Sequence, residues 1–185
     1  MKRIGFIFLV LISGLTFSQN KGNVGVGDKA LNFSLNTVQG QPVELDKMYK
    51  SRPVVLVVLR GWPGYQCPIC TQQVGGLVAD AGKFAELGAS VLMVYPGPSK
   101  QLQEHAREFS EDFEFADNFY FVLDPDYTMI NLYGLRWDAP NETAYPSTFV
   151  IDKKGKIVFS KVSSTHGDRA INGEIFKVLQ KAGMN

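Results

Sequence analysis

The chain is poor in the residues that build metal sites, with two cysteines and two histidines among 185 residues. A structural zinc ion takes four protein ligands, and His105 and His166 stand apart, one in a helical pattern and one in a loop. We therefore expect no metal and no other cofactor, and we interpret both histidines as surface residues.

An excess of charge is also missing, because acidic and basic residues nearly cancel at a net charge of +1. No block of like charge, internal repeat or low-complexity tract interrupts the sequence. This balance gives no reason to expect nucleic acid or an anionic membrane surface as a partner. The length is sufficient for one domain with a hydrophobic core.

The N-terminal apolar stretch, residues 4–17, follows the basic start MKR and is short for a membrane span of ~20 residues. Thr16 and Ser18 are small residues at the two positions that a signal peptidase reads. We expect residues 1–18 to be a signal peptide, and a retained membrane anchor is the alternative. Residues 19–185 would then form one domain in the periplasm or cell envelope, or in a secreted protein.

Strand-like and helix-like patterns alternate along the rest of the chain. Residues 53–59 form a continuous valine-rich run, which is typical of a central strand buried on both faces. Two short strands around a turn at Gln39 and Gly40 precede it and predict an N-terminal β-hairpin. The further predicted elements are a helix over residues 68–87 that stops at Gly88, a strand over 89–95, a helix capped by Ser99 with Leu102, Ala106 and Phe109 on one face, a strand over 119–124, a short helix ending at Gly134, a hairpin over 147–162, and a last helix with Ile171, Ile175 and Val178 on one face. This order predicts an α/β fold with a central sheet and helices on both faces.

The two cysteines lie three positions apart, directly after the buried strand and at the start of a helix. Cys67 would be the N-cap and Pro68 the first helical residue, a position that suits proline because its missing N–H has no helical partner there. Free amides and the helix dipole both favour a negative charge at that end. The sequence therefore predicts that Cys67 is a thiolate at neutral pH and that Cys70, one turn on, is the more covered thiol.

Three other interpretations of the pair are weaker. A structural disulfide across so short a loop contributes about 2 kcal/mol in the loop-entropy model. A zinc site lacks further ligands. Two inert, packed thiols would be unusual in an exported protein, since the compartment is oxidising.

Several stretches of the chain, taken in order, resemble one family. They are VGDKALNFSLNTVQGQPVEL, VVLVVLRG, the cysteine loop, LDPDYTMINLYGL and PSTFVIDKKGKIV, which together span about residues 24–162. This set resembles the alkyl hydroperoxide reductase/thiol-specific antioxidant family, which contains peroxiredoxins and relatives with a thioredoxin-like fold. The resemblance implies a thioredoxin-like (redoxin) domain over residues 19–185, a central mixed β-sheet flanked by helices and an active cysteine at a helix start. Ala30 departs from the family, which often has proline there.

The family divides by chemistry, and this sequence lies between two branches. Peroxiredoxins typically place proline and threonine or serine before the reactive cysteine, where this chain has Arg60 and Gly64. They also carry an arginine where this chain has Pro146. The thioredoxin-like branch pairs Cys-x-x-Cys with a cis-proline, and Cys67, Cys70 and Pro146 match that branch. We therefore expect a cis bond between Tyr145 and Pro146 that shapes a substrate-docking surface.

Three residues near the pair are candidate substrate-binding residues. Trp62 and Tyr65 would form an apolar lip beside Cys67, or would cover the core. Arg60 would stabilise the thiolate or replace the missing peroxidase arginine, but a solvated arginine at a strand end is the simpler interpretation.

The sequence thus favours an exported thiol–disulfide oxidoreductase with Cys67 and Cys70 as catalytic residues. Its partner would be a protein dithiol or disulfide, and no sequence feature sets the direction of exchange. One alternative is a peroxiredoxin-type peroxidase in which peroxide oxidises Cys67 and Cys70 resolves it. The other is a non-enzymatic binding module with a structural disulfide.

Overall fold

A computed structural model describes residues 22–182 of the chain, so the expected signal peptide lies outside the described residues. Within this range seven strands form one sheet in the order β2-β1-β5-β4-β3-β6-β7. The elements are β1 Ser34–Thr37, β2 Pro42–Glu44, α1 Leu45–Ser51, β3 Val54–Val58, α2 Pro68–Ala79, α3 Ala81–Glu86, β4 Ser90–Gly97, α4 Leu102–Ser110, β5 Phe119–Pro125, α5 Thr128–Leu132, β6 Ser147–Ile151, β7 Ile157–Val162 and α6 Asn172–Ala182. None of the helices found in residues 22–182 is long and apolar enough to cross a membrane.

The sheet is mixed, as predicted. Strands β3, β4 and β5 run parallel, whereas β6 lies antiparallel to β3 and the β1–β2 hairpin adds to β5 in antiparallel register. Successive side chains of a strand point to opposite faces, so β3 contributes Val55 and Val57 to one core and Leu56 and Val58 to the other. Helices α2, α3, α4 and α6 cover the first face, and α1 and α5 cover the second. The predicted α/β fold with helices on both faces is confirmed.

Three local predictions about helices are wrong. The predicted helix over residues 68–87 breaks at Asp80, whose backbone leaves the helical region (φ −98°, ψ 14°) and whose carboxylate accepts a hydrogen bond from Asn172. Ser99 does not cap α4, because its amide donates to the Asp126 side chain and the helix begins three residues later. Ile171 does not belong to the buried face predicted for the last helix, because it precedes α6 and is 66% exposed. Ile175, on that predicted face, is buried.

A close approach of two backbones fixes the loop that leaves β3. Gly61 has a φ of 69°, and a Cβ atom built there would lie 1.9 Å from the carbonyl oxygen of Pro96. The amide of Trp62 donates to the same oxygen at 3.0 Å. Glycine is required at this position because it alone allows both the left-handed conformation and the contact. The cysteine loop is thereby attached to the end of β4.

Candidate active site

Both cysteines lie at the N-terminus of α2, as the sequence predicts. Cys67 is the N-cap residue (φ −85°, ψ 110°) and Pro68 is the first helical residue. Proline suits this position because it has no N–H, and an N–H there would have no acceptor within the helix. Both thiols are free, and Cys67 is 3% and Cys70 1% exposed. The prediction that Cys70 is the more covered thiol agrees with these values, but Cys67 is also nearly enclosed.

The pKa values of the two thiols are shifted in opposite directions. A hydrogen bond from the Cys70 thiol is the main cause that lowers the pKa of Cys67 from 9.0 to about 5; the Cys70 amide, Arg169 and Arg60 lower it further against the effect of burial. Burial raises the pKa of Cys70 well above its ordinary value. At neutral pH the pair therefore consists of a Cys67 thiolate and a protonated Cys70 thiol. This difference suits a two-step reaction in which Cys67 attacks first and Cys70 attacks later.

Arg60 is the largest correction to the sequence interpretation. It is 2% exposed and is not a solvated strand-end residue. Its Nε donates to Glu142 Oε2 at 2.6 Å, Nη1 donates to the Tyr65 hydroxyl at 2.7 Å, and Nη2 donates to the Asn141 carbonyl. A buried guanidinium needs such partners because desolvating an unpaired charge is costly. Glu142 lies 82 positions away in sequence, so no local pattern indicates the pair.

Glu142 links Arg60 to a histidine. His166 Nε2 lies 2.8 Å from Glu142 Oε1, and the His166 ring lies 5.2 Å from the Trp137 ring. His166 is therefore part of a polar chain behind the cysteine loop. The sequence did not indicate Glu142, because a lone acidic residue in a loop carries no distinguishing signal.

A second arginine lies on the other side of the cysteine pair and was also missed. Arg169 Nη2 lies 3.4 Å from Cys70 Sγ, and Nη1 donates to Gln73 of α2. Arg169 Nε donates to the His166 carbonyl at 2.8 Å. Arg169 thus contacts Cys70, and it lowers the pKa of the neighbouring Cys67, as Arg60 also does.

Trp62 covers the core, whereas Tyr65 is exposed. The Trp62 ring stacks on His105 with centroids 3.5 Å apart and planes 12° from parallel. His105 is therefore half-buried, with 16% of its side chain exposed, and is less exposed than the sequence suggests. Gln66 attaches the loop to both α4 and β4, because its amide donates to the His105 carbonyl at 2.8 Å and its oxygen accepts from the Tyr95 hydroxyl at 2.8 Å. Tyr65, at 46% exposure, is the part of the predicted lip that faces solvent.

Pro146 lies at the same end of the sheet as the cysteine loop, since the next residue, Ser147, pairs with Val58 at the end of β3. The expected cis bond is wrong, because no peptide bond is cis in the described part of the chain. The trans form is the default even for proline, and it is compatible here with the hydrogen bond from the Ser163 amide to the Pro146 carbonyl at 2.9 Å. Tyr145 stacks on Trp137 with centroids 4.7 Å apart.

Within residues 22–182, no group of three or more His, Cys, Asp or Glu side chains is placed to hold a metal ion.

The model of the AhpC/TSA family matches residues 26–160. The chain belongs to the AhpC/TSA family. The predicted resemblance is confirmed, and it covers the hairpin, the cysteine loop and most of the sheet.

Relatives of this AhpC/TSA protein fall into two groups. Rice (Oryza sativa subsp. japonica) peroxiredoxin Q, chloroplastic, is 28% identical over 159 residues, which are 86% of this chain and 68% of that protein. Bacillus subtilis thiol-disulfide oxidoreductase ResA is 26% identical over 158 residues, which are 82% of this chain and 79% of that protein. Both groups are thiol-dependent oxidoreductases by name, so that level of the prediction is confirmed, and the non-enzymatic module loses support.

Solved structures show the same fold. The peroxidoxin BcpB of Mycobacterium tuberculosis superposes with a TM-score of 0.64 at 23% identity, over 85% of this chain and 97% of that one. A Chlorobium tepidum structure described as a thiol:disulfide interchange protein DsbE gives a TM-score of 0.62 at 24% identity, over 86% and 98% of the two chains. The thioredoxin-like fold of this AhpC/TSA protein is thus confirmed.

Proposed function

We propose that this protein is an exported thiol–disulfide oxidoreductase that uses Cys67 as nucleophile and Cys70 as resolving thiol. The observation that carries the proposal is the position of the two thiols: Cys67 is the N-cap of α2, and Cys70 lies one turn on with Arg169 Nη2 3.4 Å from its sulfur. Hydrogen bonding lowers the pKa of Cys67 to about 5, and burial raises the pKa of Cys70. At neutral pH a thiolate of pKa about 5 is almost fully ionised, so the attacking species is present without a base.

The reaction has two exchanges. The Cys67 thiolate attacks one sulfur of a partner disulfide, forms a mixed disulfide and releases the other partner sulfur as a thiolate. Cys70 then loses its proton and attacks the Cys67 sulfur, which forms the Cys67–Cys70 disulfide and releases the second partner thiol. The reverse sequence oxidises a partner dithiol, and the reduction potential of the pair against its compartment sets the direction.

Tyr65 and Tyr145 are the proposed docking residues. Tyr65 is exposed beside Arg60, and Tyr145 is half-buried. Pro146 is buried, so the expected contact of Pro146 with a partner is wrong, and it supports the sheet end from which the cysteine loop leaves. Because aromatic side chains bury a large area on a partner, Tyr65→Ala should raise KM for a protein disulfide more than it lowers kcat. Equal loss of kcat would place Tyr65 in the chemistry instead. Trp62 contributes by holding the loop against α4 through His105.

The test follows single turnovers. Reduced protein is mixed with a disulfide-bonded protein substrate, and mixed disulfides are trapped with acid and identified by mass. We expect Cys70→Ser to accumulate a mixed disulfide on Cys67 and Cys67→Ser to form none. A Cys67→Ser variant that reduces the substrate at the wild-type rate would contradict the assignment.

A peroxidase is the second candidate, and the position of Arg60 favours it. The guanidinium is buried and lowers the pKa of Cys67, so in a peroxidase it would stabilise the oxygen that leaves as peroxide oxidises Cys67 to a sulfenic acid. Cys70 would then condense with that sulfenic acid and release water. Stopped-flow mixing with hydrogen peroxide separates the candidates. Fast oxidation that is lost in both Cys67→Ser and Arg60→Lys supports the peroxidase, whereas slow oxidation with fast disulfide exchange supports the first proposal.

Export is part of the proposal and is supported by the sequence of residues 1–18. Expression of the full chain in a bacterial host, followed by fractionation and mass measurement, tests it. A mature protein that begins near Gln19 in the periplasm is the expected result, and a full-length membrane-bound chain would favour the anchor.

A further inference from the structure

Arg169 has no role in the reaction described so far, although it contacts one of the reacting sulfurs. Its Nη2 lies 3.4 Å from Cys70 Sγ. The residue stands between β7 and α6, far from the cysteine motif in sequence. Its other nitrogens donate to the His166 carbonyl and to Gln73 on α2. The guanidinium is therefore held by one backbone and one side-chain acceptor, with its third nitrogen directed at sulfur.

Cys70 is the sulfur that needs such a partner. It is 1% exposed, and burial disfavours its thiolate. The second exchange nevertheless requires that thiolate, because a thiol does not attack a disulfide at a useful rate. Arg169 is the cation whose approach to Cys70 opposes the effect of burial. Arg169 and Arg60 both lower the pKa of Cys67, whereas Arg169 is the arginine that contacts Cys70 Sγ.

We propose that Arg169 is a catalytic residue of the resolving step, where its guanidinium stabilises the Cys70 thiolate as it attacks the mixed disulfide. The inference rests on the proposed function. The Cys70 proton passes to the partner thiolate that leaves, directly or through solvent, and Arg169 stays charged throughout. One S–S bond breaks between Cys67 and the partner, and one forms between Cys67 and Cys70. No further oxidant or reductant is needed.

A planar guanidinium suits this task better than an ammonium group. Its forked donors can keep two fixed acceptors while the third contacts the sulfur. Lysine has a single nitrogen and could not hold the same orientation. Lysine keeps the positive charge but not the orientation. We therefore expect Arg169→Lys to retain part of the rate of the resolving step, but less than the wild-type rate.

The experiment measures the two exchanges separately with a small aromatic disulfide that releases a coloured thiol at each step. The first release reports attack by Cys67, and the second reports attack by Cys70. Measurements are made well above the pKa of Cys67, where its thiolate is saturated. Arg169→Met and Arg169→Lys are compared with Arg107→Met, which removes an exposed arginine on α4 that is far from the cysteines in sequence. Cys70→Ser, which should lose the second release, identifies that step.

We expect Arg169→Met to slow the second release by about tenfold or more, the size of a lost charge-assisted hydrogen bond. The first release should change by less than about threefold, and the pH at which the second release is half-maximal should move upward. Arg169→Lys should lie between wild type and Arg169→Met, and Arg107→Met should match wild type.

Two results would overturn the inference. The first is an unchanged second release in Arg169→Met. The second is an equal slowing of both releases without a shift of the pH profile, which would mean that Arg169 only ties the segment before α6 to α2. A wild-type protein that gives no second release would instead refute the proposed function, so the two failures are distinguishable.

Discussion

Replacement of Cys70 by alanine tests the origin of the Cys67 acidity. The pKa of Cys67 falls from 9.0 to about 5, which corresponds to about 5 kcal/mol in favour of the thiolate. The hydrogen bond from the Cys70 thiol is the largest single cause. A hydrogen bond to a charged group contributes about 1.5–3 kcal/mol, so its loss should raise the pKa of Cys67 by about 1–2 units.

The assay is the rate of alkylation of Cys67 against pH, followed by mass spectrometry of the peptide that carries it. Thr71→Val is the matched control, because the Thr71 hydroxyl donates to the Cys67 carbonyl at 3.3 Å and not to its sulfur. The control should keep the wild-type profile. An unchanged profile in Cys70→Ala would refute the argument and would transfer the acidity to the helix terminus and the two arginines. A rise to the value of a free thiol would show that those groups contribute nothing.

Three further predictions concern stability. Because the folded pKa of Cys67 is depressed, its thiolate stabilises the fold above the unfolded pKa, and this stability is lost as pH falls through the folded value. Denaturant unfolding of the reduced protein should therefore show a loss of about 2 kcal/mol between about pH 7 and pH 5 that Cys67→Ser lacks; parallel curves would contradict it. Gly61→Ala should destabilise by about 3 kcal/mol or more because of its conformation and contact, whereas Gly76→Ala, in α2 with open space around it, should stabilise by up to about 1 kcal/mol in thermal melts. Glu142→Ala should cost about 3 kcal/mol because Arg60 stays buried without its carboxylate, and a neutral result would mean that water replaces Glu142.

The parts of the fold that sequence predicts well depend on local chemistry. The buried run at residues 53–59 can hardly be anything but a central strand, and β3 occupies Val54–Val58. The start of α2 is fixed by Pro68, which suits the first helical position and no interior one. Gly134 has the positive φ of 66° that a left-handed helix end requires. In each case the residue itself restricts the backbone.

The parts that failed depend on distant partners. Arg60 looks solvated in sequence because its carboxylate partner lies in a loop 82 positions on. Arg169 approaches Cys70 across 99 positions, and no periodicity connects them. The peptide bond before Pro146 failed for a different reason. The family resemblance implies a cis bond, but the backbone around Pro146 accommodates the trans form. Sequence thus locates the reactive sulfurs, whereas tertiary contacts determine which charges surround them.

The near-complete enclosure of Cys67, at 3% exposure, has a consequence for the lifetime of the enzyme. A permanently ionised sulfur is the group that cells most readily lose to irreversible oxidation and to stray electrophiles. The partner disulfide and any large damaging reagent meet the same enclosure, in which Trp62 of the loop stacks on His105 of α4. Docking of the partner must therefore uncover the sulfur, and large reagents that do not dock should modify it slowly.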